Sequence, residues 1–238
     1  MLFDEKNRNR ISEEILANRK LYSEDGEHIQ SKILYDKVSD WHNCPFPFSK
    51  SFGWDRWGLL GTLGSFVLTW TPVGDILEIG VCESSIYFTK LGKQFNRKCF
   101  HCDIQGGIIS NCNSIKSFPG YFGDDATIFV GSSDDFFKEV EIPSIALAFI
   151  DGEHTYLQVK KDFWNTYDKL VDDGYIFLHD TYPPNDTFLH TSYCGDVYKL
   201  RHELEKDDRV DCFTFTKSAW GVGLTMVRKR PSHRKHYQ

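Results

Sequence analysis

Hydrophobic positions along this chain change their period several times, and each change marks an element. Ile29, Ile33, Leu34 and Val38 are spaced by four, one and four positions, which places them on one apolar helix face. The stretch from Trp41 to Trp57 has no such period. It holds Pro45 and Pro47 among Phe46, Phe48, Phe52, Trp54 and Trp57, so it reads as a loop or lid, or as core packed beneath the extension. Trp57 to Val73 is almost uncharged but interrupted by glycines and polar residues. A bilayer span needs roughly 20 mainly apolar residues, so this segment reads as a core helix.

From Gly74 onward, short apolar runs alternate with amphipathic segments. Strands are expected at 75–80, 98–103, 127–131, 145–151 and 175–178, and helices at 85–93 and 133–140. Ile145 to Ile150 is uniformly apolar, as a strand covered on both faces should be. Tyr156, Val159, Phe163, Tyr167 and Leu170 form one stripe of a helix, with Gly174 as its expected C-terminal cap. Asp196 is expected to N-cap a further helix carrying Val197, Leu200 and Leu204. Two closing strands follow, at 210–215 and 223–227. The alternation predicts an α/β fold with a mostly parallel seven-stranded sheet and helices on both faces. The expected organisation is a helical N-terminal extension over 1–56, one α/β domain over 57–229 and a basic tail over 230–238.

Composition narrows the class. With 40% hydrophobic and 26% charged residues the chain is globular in character. A formal net charge of -6 disfavours a nucleic-acid partner held by overall charge. Arg228, Lys229, Arg230, Arg234 and Lys235 have the character of a solvated end, with phosphate contact as the alternative. No secretory h-region precedes the charged start, and seven scattered cysteines fit reduced thiols, so a cytoplasmic, non-membrane protein is expected. Cys99-Phe100-His101-Cys102 is a C-x-x-C, but it lies in a strand without a second ligand pair, which favours ordinary strand cysteines over zinc.

Parallel sheets bind ligands at the carboxyl ends of their strands. Three segments sit there: Leu77-Glu78-Ile79-Gly80-Val81-Cys82-Glu83-Ser84-Ser85, Phe129 to Asp134, and Phe149-Ile150-Asp151-Gly152-Glu153-His154-Thr155-Tyr156 with His179-Asp180-Thr181 after the next strand. A strand, a glycine turn and a helix start direct backbone N–H groups at a charged ligand. Asp103, ending the second strand, is placed to accept bonds from ribose hydroxyls; a solvated strand-end acid is the plainer reading. His154 and His179 are candidate general bases, or simply loop-binding histidines.

These pieces, in this order, resemble a known family. E-I-G, a strand-end acid, a G-S-S turn, F-I-D-G-E-H-T-Y and F-L-H-D-T together are similar to class I S-adenosylmethionine-dependent methyltransferases. The likeness is to the small-molecule O-methyltransferases related to cephalosporin hydroxylase and to macrolide and aminocoumarin sugar methyltransferases. It spans about Asp75 to Arg228. It implies a Rossmann-like sheet with an antiparallel last strand, S-adenosylmethionine as cofactor and a small hydroxylated acceptor. It further implies that Glu78, Gly80, Cys82, Ser84 and Ser85 hold the amino-acid end of the cofactor. Asp103 would hold the ribose, Ser132 and Ser133 would line the adenine, and Asp151 would lie beside the donor. In metal-using members, Asp151 and Asp180 would bind Mg²⁺, with His179 standing where several members carry a carboxylate. Asp151, His154 and His179 are the expected catalytic set.

The chain departs from the family in one place: the first turn has no second glycine. This suggests one alternative, an inactive S-adenosylmethionine-binding protein of the same fold; a second alternative is a nicotinamide-dependent oxidoreductase. The latter lacks its G-x-G-x-x-G fingerprint. The acceptor, the metal and self-association are left open by the sequence.

Overall fold

Residues 58–71, 73–82, 84–105, 126–216 and 222–231 are described by a computed structural model. The readings of Ile29 to Val38, of the aromatic segment before Trp57, and of Arg234 and Lys235 lie outside these residues. In chain order the elements are α1 (Gly58–Trp70), β1 (Asp75–Ile79), α2 (Ser85–Phe95), β2 (Cys99–Asp103), β3 (Ala126–Val130), α3 (Ser133–Glu139) and β4 (Ile145–Ile150). Then come α4 (Tyr156–Lys169), β5 (Leu170–His179), α5 (Tyr198–Leu204), β6 (Val210–Phe215) and β7 (Leu224–Lys229). The strands form one seven-stranded sheet in the order β3-β2-β1-β4-β5-β7-β6. β7 runs antiparallel to both its neighbours, and the other pairings are parallel. This is the Rossmann-like architecture expected from the alternation of elements.

β4 lies at the centre of the sheet, and all six of its residues are buried. Its apolar run is explained by that position, since side chains on both faces meet packed helices. Phe163 of α4, Phe136 of α3 and Leu200 of α5 reach the same core as Leu77, Ala148, Ile176 and Val227 of the sheet. Phe88 of α2 and Phe149 of β4 stack at 5.5 Å from the opposite face. Each fully buried side chain of this size contributes roughly 1.5–3 kcal/mol.

Two expectations about element ends are corrected. α4 stops at Lys169 without a glycine cap, and Gly174 lies inside β5. The pairing of β4 with β5 jumps from Ile145↔Leu170 to Leu147↔Tyr175, so residues 171–174 bulge out of register, with Asp173 at φ 63. The work of a cap falls instead to Lys229, whose Nζ donates to the carbonyls of Tyr167 at 3.1 Å and Leu170 at 2.7 Å. Likewise Asp196 does not cap α5, whose cap residue is Val197. Its Oδ1 accepts from the backbone N–H of Tyr156 at 2.5 Å, so it caps α4 across the chain.

The basic residues that end the sequence pattern are bonded within the fold. Arg228 pairs with Asp173 and Asp211, and Arg230 pairs with Asp211. Among the described residues no helix is long and apolar enough to cross a membrane.

On α4, Asp162 is buried and accepts from Gln158 at 3.0 Å. Burial pushes its carboxyl up to about 6, against the opposing pull of hydrogen bonds from Ser133 and Gln158. Through this window the folded chain holds a proton that the unfolded chain, near 3.8, has released. The associated stability is present below about pH 4 and is lost as pH rises through about 6. Asp162→Asn should remove that loss. Its denaturant midpoint relative to wild type should rise across the window by the equivalent of about 1–3 kcal/mol. Parallel stability curves for the two proteins would show instead that Asp162 titrates like an exposed carboxylate.

Candidate functional site

The first turn is built around Gly80. It follows β1 with φ +91, and its N–H donates to the carbonyl of Cys102 at 2.9 Å. A Cβ at this position would lie 2.0 Å from the carbonyl oxygen of Asp151, so glycine is required both by φ and by space. Asp151 in turn donates its N–H to Ile79 at 2.8 Å. The ends of β1, β2 and β4 are thereby locked side by side.

The missing second glycine has a local explanation. Ser84 sits at φ -59 and ψ -31, ordinary helical backbone that any residue adopts. Its hydroxyl is turned inward and donates to Glu78 Oε1 at 2.5 Å, while that of Ser85 donates to Glu78 Oε2 at 2.5 Å. His101 Nδ1 lies 2.7 Å from the same Oε2. All four side chains are buried. Glu78, Ser84 and Ser85 thus come together, with their side chains bonded to one another and buried rather than facing solvent. Cys82 Sγ lies 2.9 Å from Ser84 Oγ, and burial pushes its thiol up, helped by the charges of Asp151 and Glu78.

His101 was not singled out in the sequence. Its signal was there: it is the register partner of Glu78 across β1 and β2, on the same face. The C-x-x-C reading drew attention to its neighbours. Those cysteines have separate partners, with Cys99 Sγ donating to the Phe88 carbonyl and Cys102 Sγ to that of Gly131.

Asp103 stands at the end of β2 and clamps the next turn. Its Oδ2 accepts from Val81 N–H at 2.8 Å and its Oδ1 from Gln105 N–H at 2.6 Å. Ser132 caps α3, accepting from Asp135 N–H and donating to its carboxylate at 2.6 Å. Ser133 Oγ accepts from Gln158 at 3.1 Å. Both serines lie at the end of β3, with hydroxyls bonded inside the fold.

The second centre lies at the tips of β4 and β5. His179 Nδ1 is 2.9 Å from Asp151 Oδ1 and 3.2 Å from Asp180 Oδ2. His154 Nε2 is 3.1 Å from Asp180 Oδ2 and 3.7 Å from Asp151 Oδ1. Two carboxylates are thus bridged by two imidazoles. Burial works against the charge on Asp151, but the attraction of His179 and hydrogen bonds from both histidines outweigh it and hold the carboxyl at about 2. Burial also opposes the charge on His179, and Asp151 overcomes it, raising the imidazole to about 10. His154 moves up more modestly, burial again opposing and the bond to Asp151 and the charge of Asp180 prevailing.

Asp180 holds φ 59, a left-handed conformation that strains a non-glycine residue. Its neighbours enforce it. Thr225 Oγ1 donates to Thr181 Oγ1 at 2.7 Å, and Tyr182 N–H donates to the Val222 carbonyl at 2.7 Å. His154 is fixed from the other side, where Asp196 N–H donates to its carbonyl at 3.3 Å and Gly195 packs against it. Among the described residues, Asp151, His154 and Asp180 bring one potential ligand atom each within 4.8 Å of one another. His179, the histidine that the sequence offered as a ligand, lies beside the same two carboxylates.

A family of methyltransferase domains matches residues 77–181, from β1 through the tip of β5. Over these residues the chain is similar to that family. The solved structures most similar to the chain share the fold at low identity. The O-methyltransferase TomG from Streptomyces achromogenes, crystallised with S-adenosylmethionine, is 15% identical over 73% of this chain and 80% of its own, with a TM-score of 0.57. An O-methyltransferase from Bacillus cereus, in complex with S-adenosylhomocysteine, is 13% identical over 73% and 81%, with a TM-score of 0.56. The Podospora anserina methyltransferase PaMTH1, also bound to S-adenosylhomocysteine, is 17% identical over 97% and 98%, with a TM-score of 0.58. Among curated proteins none matches. The Gly80 turn and the tips of β4 and β5 fall inside the matched segment.

Gly80→Ala should test that lock. The added methyl meets backbone rather than a movable side chain, so the cost should be roughly 3 kcal/mol or more by denaturant unfolding. A cost below about 1 kcal/mol would mean that the β1 and β4 tips are free to separate.

Proposed function

We propose that this protein transfers the methyl group of S-adenosylmethionine to a hydroxyl of a small molecule, such as a sugar or a secondary metabolite. The observation that carries the reading is the convergence of Asp151, His154, His179 and Asp180 at the tips of β4 and β5. It is supported by the Gly80 turn, which packs directly against Asp151.

S-adenosylmethionine supplies a methyl group already activated by its sulfonium charge; the protein must bind it, align an oxygen and take a proton. Asp103 is our candidate for the ribose, since each of its oxygens keeps a lone pair beyond its backbone bond. The N–H groups of the turn after Gly80, at the start of α2, are suited to the amino-acid carboxylate. The turn at Ser132 and Ser133 would form the adenine wall through its backbone, the hydroxyls being bonded elsewhere.

His154 is our proton acceptor. It is the more open of the two histidines, a quarter of its side chain being exposed, and its Nε2 faces both carboxylates. His179, raised to about 10, stays protonated near neutrality and acts as a fixed cation between Asp151 and Asp180. The donor set also fits a divalent cation. The two carboxylates offer the hard oxygens that Mg²⁺ takes, and the imidazole widens the choice to transition metals. Such an ion, when bound, lowers the pKa of an oxygen ligand. Arg228, Lys229 and Arg230 are bonded internally, which supports a small acceptor over a nucleic acid.

S-adenosylhomocysteine at a hundredfold excess over its Kd should stabilise the protein by about 2.7 kcal/mol, read as a rise in Tm. Asp103→Ala should weaken this binding at least tenfold, about 1.4 kcal/mol, while leaving the unliganded protein folded. A thermal shift with NAD and none with S-adenosylhomocysteine would overturn the cofactor assignment.

A further inference from the structure

The cluster of Glu78, Ser84, Ser85 and His101 lies one layer beneath the turn. A buried carboxylate that receives two hydroxyl hydrogens and an imidazole is costly to assemble unless every partner is in place. Here the partners come from three elements. Glu78 belongs to β1, His101 to β2, and the serines to the start of α2. The two serine bonds fix where the first turn of α2 begins, and His101 fixes the carboxylate that receives them. Asp103, two residues beyond His101 on β2, takes hold of the same loop from the other side through Val81 N–H. The turn after β1 is therefore held at two described places, at Ser84 and Ser85 by Glu78 and at Val81 by Asp103.

We infer that Glu78 and His101 act as a buried anchor that sets the 80–85 turn for the amino-acid end of the methyl donor, with His101 as a positioning residue. The anchor replaces, by hydrogen bonding, the definition that a second glycine gives other turns by conformation. This inference rests on the proposed S-adenosylmethionine site. It divides that site in two: the amino-acid end depends on the anchor, and the nucleoside end depends on Asp103.

Two ligands separate these halves. S-adenosylhomocysteine carries both, whereas 5′-methylthioadenosine has the nucleoside and sulfur but no amino-acid group. Calorimetric titration of the full chain with each should show His101→Phe and Ser85→Ala losing roughly tenfold in affinity for S-adenosylhomocysteine. Their affinity for 5′-methylthioadenosine should change less than about twofold. His101→Gln, which keeps a side-chain N–H donor, should restore most of the loss. Asp103→Ala should weaken both ligands together. If His101→Phe does not fold, the comparison of Ser84→Ala and Ser85→Ala, each removing one hydroxyl, carries the test. Equal losses for both ligands, no loss for either, or no rescue by His101→Gln would overturn the anchor while leaving the methyl donor in place. Failure of wild type to bind either ligand would overturn the methyl-donor assignment and this inference with it.

Discussion

The close approach of two backbones at Gly80 and Asp151 governs this structure. The tips of β1 and β4 come together at a distance that excludes any side chain at position 80. From that contact follow the exit path of the turn after β1 and the position of the Asp151 carboxylate. Because parallel strands point their carboxyl ends the same way, one such contact at the middle of the sheet aligns the tips of its neighbours. Asp103 on β2 and the His179-Asp180 pair on β5 then fall on the same edge without further adjustment.

The arrangement at the β4 and β5 tips solves a charge problem. Two carboxylates this near each other repel, and burial makes the repulsion worse. The chain answers with two imidazoles set between them, one deeply held and one more open. The backbone strain at Asp180 belongs to the same answer. Asp180 turns left-handed at the strand end, and the next residue, Thr181, is bonded to Thr225 of β7.

Much of this was legible in the sequence because strand patterns and strand-end residues are local. The apolar run of Ile145 to Ile150, the stripe from Tyr156 and the acid at Asp103 each announce themselves within a few residues. What was not legible depends on partners distant in sequence. Gly174 has the local look of a cap, yet the carbonyls at the end of α4 are taken by Lys229, and the glycine joins a bulge. Asp196 precedes α5 as a cap should, yet it bonds to Tyr156. His101 needed the register of β1 against β2, which no periodicity prints. The lack of a second glycine is explained only by backbone angles, since Ser84 holds ordinary helical φ and ψ.

α4 shows what such distant partners mean for the order of assembly. Its stripe is complete within its own sequence, but its first N–H is received by Asp196 and its last carbonyls by Lys229, both made later. On a ribosome the chain emerges from the N-terminal end, so this helix leaves the tunnel with its own Thr155 cap but without Asp196, and its last carbonyls wait for the last strand of the sheet. Until β7 inserts beside β5, the half-built sheet also presents an uncovered edge. The last described strand therefore closes the fold, and a nascent chain halted shortly before Lys229 would hold the site's residues while the end of α4 still lacked its lysine.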